Sequence, residues 1–203
     1  RDVLGVPAVP SLAELPKSPD VVAFVIRGAS VVEQLAGVEA IDAKALVIYD
    51  GGFAETGAAG AALQRTIADF CRERAIALCG PNCMGILNPA ARSASYKLPV
   101  LDPARLKGNV GVISQSGSIT IGLLADVRRF GFSTVISSGN EAVTDTADYL
   151  SYLIDDPETA AIAIFLESVR SPRRFLDELR RASDVCKPVV VLKVGQSERA
   201  KHA

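Results

Sequence analysis

The sequence predicts an α/β fold, two units of parallel strands alternating with helices. Three observations carry that expectation. Short apolar runs of strand length recur along the chain, separated by stretches with helical spacing, the pattern of right-handed strand–helix–strand crossovers. Aromatics make up 5% of the residues and Trp is absent, so the core is built from Val, Ile, Leu and Ala, which suits a sheet buried on both faces. Glycine- and hydroxyl-rich stretches follow the apolar runs, at the carboxyl ends of strands where open α/β sheets bind ligands.

The opening stretch holds Pro7, Pro10, Pro16 and Pro19 and reads as loop. Asp20 to Ile26, DVVAFVI, is a buried strand, with Arg27-Gly28 at its end. Ser30 is expected to cap the helix SVVEQLAGVEAI, with Glu33 as its capping-box partner. Ala45 to Tyr49 is the next strand, followed by the turn Asp50-Gly51-Gly52-Phe53. Thr56 or Gly57 opens an Ala-rich helix running to about Arg74, whose Leu63, Ile67 and Phe70 face the sheet. Ile76 to Cys79 is a short strand. Gly80 to Pro89, GPNCMGILNP, carries two Gly and two Pro and is expected to hold no regular structure. Ala90 to Lys107, with Pro99 and Pro103, lacks periodicity and reads as a linker.

The second unit opens on Asn109 to Gly122, NVGVISQSGSITIG: a strand over Val110–Ser114, a turn at Gln115, Ser116 and Gly117, and a helix from Ser118. A strand over Ser133–Ser137 and a turn at Gly139-Asn140 come next, then a helix over about Asp145–Ile154. Strand Ala160–Leu166, a helix over about Pro172–Val185 and strand Pro188–Val194 complete the pattern.

At 203 residues the chain allows one large or two small domains, and 49% hydrophobic with 22% charged residues is a globular composition. A net charge of −1 without a long basic run gives no reason to expect nucleic acid or an anionic membrane surface as partner. Apolar runs such as Val21–Ile26 and Ala160–Leu166 are too short to span a bilayer, and no secretory signal opens the chain. Cys71, Cys79, Cys83 and Cys186 form no metal pattern and read as reduced thiols of a cytoplasmic protein. The chain opens at Arg1 and closes at Ala203 without a final element, so it reads as a piece of a longer protein.

The residue types limit the chemistry. The Walker-type phosphate loop, the G-x-G-x-x-G dinucleotide fingerprint and the glycine that precedes a nucleophile-elbow serine are all missing from the sequence. The strand–turn–helix around Ser116 is either an ordinary connection with a serine cap or an anion site, because first-turn N–H groups lack intrahelical partners and carry the positive end of the helix dipole. Glu167, at the end of the apolar run AAIAIFL, is either a surface residue or a carboxylate that orients a catalytic imidazole. Asn82 is a turn amide or a ligand contact; Arg27 and Arg92 are solvated cations or phosphate contacts. His202, the only histidine, is a solvated residue at the chain end or a phosphoryl acceptor.

Taken together, these stretches resemble the α-subunit portion of the NDP-forming acyl-CoA synthetases, the superfamily of succinyl-CoA synthetase and ADP-forming acetyl-CoA synthetase. The matching motifs are PSLAELP at Pro10–Pro16, GGFAETG at Gly51–Gly57, GPNCMGILNP at Gly80–Pro89, GNVGVISQSGSI at Gly108–Ile119, FLESV at Phe165–Val169 and KPVVVLKVGQSE at Lys187–Glu198, in family order and spacing. The resemblance implies a Rossmann-like CoA-binding domain over 1–100, lacking its first βα unit, then a flavodoxin-like ligase domain over 108–203 that stops before the family's active-histidine segment.

It also implies acyl-CoA formation from a carboxylic acid, CoA and ATP (or GTP) through an acyl phosphate and a phosphorylated histidine. Ser116, Gly117 and Ser118 match the helix N-terminus that holds phosphate or phosphohistidine. Glu167 matches the glutamate that bonds the active histidine. Ile26, Arg27, Gly28, Tyr49, Asp50, Gly51 and Asn82 match loops lining the CoA site. Nucleotide and Mg2+ belong to an ATP-grasp domain or β-subunit not in this chain, and the family relation implies an oligomer. The family histidine is followed by Thr-Gly or Ala-Gly; His202 is not, and it falls a few positions early, so that role does not pass to it. The rival expectation is a non-catalytic, CoA- or nucleotide-sensing region of a protein lysine acetyltransferase.

Overall fold

A computed structural model describes residues 2–99, 103–125 and 131–195. The first half opens with a hairpin the proline pattern does not disclose: β1 (Asp2–Val3) and β2 (Val6–Pro7) pair antiparallel. A short 3-10 turn, Leu12–Glu14, packs on the helices that follow. Next come β3 (Val21–Phe24), α1 (Gly28–Glu33), α2 (Leu35–Ala40), β4 (Ala45–Ile48), α3 (Ala58–Glu73) and β5 (Ala77–Cys79). The three strands form one parallel sheet in the order β3-β4-β5, as expected from their apolar runs. Phe24, Leu46, Ile48, Phe53, Ile67 and Leu78 form its core, with Leu63 and Phe70 of α3 packed against it.

The first helix differs from expectation in its start and its continuity. Arg27 stands at the N-cap without a side-chain bond, Ser30 lies within α1, and the helix breaks at Gln34. Packing sets the start instead of a cap. A Cβ on Gly28 would stand 3.0 Å from the Phe53 ring, so the bare backbone there lets the helix begin against the core.

The second sheet holds β6 (Gly85–Asn88), β7 (Ser93–Tyr96), β8 (Lys107–Ser114), β9 (Phe132–Ser137), β10 (Ala161–Leu166) and β11 (Val189–Lys193), in the order β11-β10-β8-β9-β6-β7. Helices α4 (Pro103–Leu106), α5 (Gly117–Ala125), α6 (Thr146–Asp155) and α7 (Pro172–Asp184) connect or flank these strands. Strands β9, β8, β10 and β11 are parallel, as their runs predict. Strand β6 is antiparallel to both β9 and β7, so the sheet is mixed, and parts of the expected GPNCMGILNP loop and linker are strands. The reason is tertiary: Leu87 is buried with Val112, Phe132 and Val135, and the Tyr49 hydroxyl donates to Ser95 O at 2.8 Å. The chain therefore passes from the first sheet to the second between Cys79 and Gly85.

The two halves interlock where strand-end loops cross. Asn140 N donates to Pro81 O at 2.8 Å and Ala142 N to Gly80 O at 3.1 Å, while Arg72 Nη2 donates to Ala142 O at 2.7 Å. Gly139 has φ 62, and a Cβ there would lie 2.3 Å from Pro81 O, so the crossing requires glycine. Among the described residues no helix is long and apolar enough to cross a membrane, and Cys71, Cys79, Cys83 and Cys186 are free thiols.

Candidate functional site

The loops leaving β4, β5, β8, β9 and β10 converge on one cleft of about 450 Å³ between the two halves. Of the residues expected at a site, it is lined by Tyr49, Asn82, Ser116, Gly117, Ser118 and Glu167. The others stand back from its wall. Arg27 and Gly28 begin α1, and Ile26 lies partly exposed just before it. Asp50 O accepts from Asn82 N at 3.0 Å, and Gly51 abuts Glu55 and Asn82, so this turn props the asparagine from behind.

The wall at the start of α5 follows from local chemistry. Strand β8 ends in Ser114, whose hydroxyl accepts from Ser116 N at 3.1 Å and donates to Ser116 O at 2.8 Å, shaping the turn into α5. The helix begins at Gly117, one residue before the expected start, and its first-turn N–H groups have no intrahelical partner. Lys97 and Arg170 add cationic groups to the same cleft. Met84 lies against Gly117, with its N–H donating to Ser137 Oγ at 3.1 Å.

Glu55, Met84, Lys97, Gln115, Asn140 and Arg170 also line the cleft, although none was expected there as a site residue. None carries a periodic signal; Gln115 and Asn140 were legible as turn residues, and Glu55, Met84 and Gln115 as members of the matching motifs. Glu55 takes Asn140 Nδ2 at 2.5 Å, Gly52 N at 2.6 Å and Phe53 N at 3.0 Å. Partial burial pushes its carboxyl up, but these bonds outweigh burial and hold it below the usual range. Arg170 Nη2 donates to Asn140 O at 3.0 Å, tying the loop after β10 to the loop after β9. Burial raises the Tyr49 phenol, with Cys83 and Cys79 contributing. Among the described residues no group of three His, Cys, Asp or Glu could hold a metal ion, and His202 lies outside them.

The N-terminus of α5 and the Glu167 carboxylate share one cleft, with the Asn82–Met84 loop of the other half on its wall. Two family descriptions match the chain in tandem: a CoA binding domain over residues 1–89 and a succinyl-CoA ligase like flavodoxin domain over residues 107–203. The chain belongs to the NDP-forming acyl-CoA synthetase superfamily.

Within that superfamily, the ADP-forming acetate–CoA ligase I of Archaeoglobus fulgidus is 34% identical over 208 residues, covering 100% of this chain and 29% of that protein. The alpha subunit of the ADP-forming acetate–CoA ligase II of Pyrococcus furiosus is 34% identical over 205 residues, covering 100% of this chain and 44% of the subunit. Among solved structures, PH0766 from Pyrococcus horikoshii OT3 superposes with a TM-score of 0.89 at 32% identity, covering 99% of this chain and 46% of that one. The dinucleotide forming acetyl-coenzyme A synthetase 1 of Ca. Korarchaeum cryptofilum, in complex with phosphate and ADP, gives a TM-score of 0.86 at 30% identity, covering 99% of this chain and 43% of that one. The chain thus spans less than half the length of each of these proteins. None of these matches, and no feature of the cleft, favours the acetyltransferase-linked regulatory reading.

Proposed function

We propose that this chain is the CoA- and phosphate-binding part of an ADP-forming acid–CoA ligase, which makes acyl-CoA from a carboxylic acid, CoA and ATP through an acyl phosphate and a phosphohistidine. The observation that supports this reading is the convergence of the α5 N-terminus, Glu167 and the Asn82–Met84 loop on one cleft between the halves. Ser116, Gly117 and Ser118 hold the phosphoryl oxygens through backbone N–H groups, and Lys97 and Arg170 offset their charge. Glu167 accepts a hydrogen bond from the imidazole N–H, which fixes its tautomer and raises its basicity. Tyr49 and Asn82 border the space for the CoA thiol, while Ile26, Arg27, Gly28, Asp50 and Gly51 serve the remainder of CoA along the end of the first sheet.

In this reading the nucleotide and Mg2+ are handled by an ATP-grasp domain or β-subunit outside this chain. The assembly is an oligomer and acts in the cytoplasm, and the chain alone does not turn over. Glu167→Gln in the full-length protein tests the core of the reading. It should lower the acid-labile phosphohistidine signal and the ligase rate by about 100-fold, the usual scale for losing a group that assists proton chemistry. Unchanged phosphorylation and turnover would remove Glu167 from the mechanism.

A further inference from the structure

We propose that Gln115 is a positioning residue that fixes Glu167 at the rim of the cleft. The catalytic consequence rests on the ligase reading above; the geometry does not. Gln115 is the first residue beyond β8, and its backbone N–H donates to Phe165 O at 3.2 Å. Its side chain then reaches the loop after β10. Oε1 accepts from Glu167 N at 2.8 Å and from Ser168 N at 2.9 Å, and Nε2 donates to Ser168 O at 2.9 Å.

Two successive backbone donors and one acceptor are thereby satisfied by a single amide. Its orientation follows, since a flipped amide would set NH2 against two N–H groups. Among the described residues, no side chain or ion pair ties the Glu167 carboxylate itself; its backbone is what is held, by Gln115 and by Lys193 Nζ donating to Glu167 O at 3.0 Å. The neutrality of Gln115 also has a local reason. Its amide stands beside the buried carboxyl of Glu141, against which a second carboxylate would be repelled.

Two variants of the full-length protein test this. Gln115→Met keeps the volume and removes the amide, so the fold should persist while hydrogen–deuterium exchange across residues 165–170 speeds up about tenfold. Ligase kcat should fall about tenfold with KM for CoA within about twofold, the split expected when a group matters more in the transition state than in binding. The double variant Q115E/E141Q restores an acceptor for both N–H groups with only one carboxylate present, and should return exchange and kcat to within about threefold of the parent. Parental exchange in Gln115→Met, or a double variant no better than Gln115→Met, overturns the proposal. A parent enzyme that makes no acyl-CoA defeats the ligase reading instead, and the exchange comparison still decides the role of Gln115.

Discussion

Glu141 is a charged residue type in a place that disfavours charge. It is 5% exposed, sits at φ 52, and accepts on Oε1 from the hydroxyls of Ser138 at 2.7 Å and Thr146 at 2.6 Å, while Oε2 has no hydrogen-bond partner among the described residues. Burial outweighs those bonds and raises its carboxyl above the usual range. A carboxyl raised by folding contributes stability below its unfolded pKa and loses it as pH rises through the folded value. Glu141→Gln should therefore gain about 1 kcal/mol on the parent near pH 8, because the buried charge is removed, and the gain should shrink as pH falls toward the usual carboxylate range. Urea midpoints over a pH series measure this; a gain that grows toward acid contradicts it. Glu55 has the opposite sign, its depressed carboxyl contributing above the unfolded pKa and losing that contribution as pH falls through the folded one. Neither carboxylate was legible in advance. Glu167 was, because it follows a six-residue apolar strand at the edge where ligands gather, whereas Glu55 depends on Asn140 of the other half and Glu141 on the hydroxyls that folding brings round it.

The starts of two helices show how far local signals reach. At α6 a capping box forms that the sequence reading did not single out: Asp145 accepts from Ala147 N at 2.9 Å and Asp148 N at 3.2 Å, and Asp148 takes Asp145 N in return at 2.9 Å. At α1 the Ser30–Glu33 pair has the same spacing and no cap forms. Asp145→Ala should lower the unfolding free energy by about 1–2 kcal/mol, and Ser30→Ala should change it by less than about 0.5 kcal/mol. Chemical denaturation of the two variants side by side is the check, and equal losses would mean that α1 is capped after all. The strands divide the same way. Val110–Ser114, the larger part of β8, and Ala161–Leu166 are apolar runs and were legible, whereas the Lys107–Asn109 start of β8 was not. Gly85–Asn88 and Ser93–Tyr96 are four residues each, lie near Pro81 and Pro89, and become strands because β9 offers an edge to the first and the first offers one to the second.

For the molecule as a whole, sequence order and packing disagree in one useful place. Ala142 follows β9 of the second sheet, yet it is buried in the core of the first. Ala142→Asp sets a carboxylate in that apolar contact and should destabilise the protein by about 3 kcal/mol. Exchange should accelerate more in β4 and β5 than in β8 and β10; acceleration confined to β8 and β10 would show that Ala142 serves its own sheet.

The early passage of the chain into the second sheet has a consequence for anyone who divides this protein. A cut near residue 100 leaves β6 and β7 on the amino-terminal piece and strips β9 of the neighbour it pairs with through Gly85, Ile86 and Leu87. Each piece then carries one side of a broken ladder, with Leu87 uncovered on one and Val135 on the other. Such pieces are complementary fragments, made to find each other by strand addition, and their separate behaviour would report on a severed seam more than on two domains.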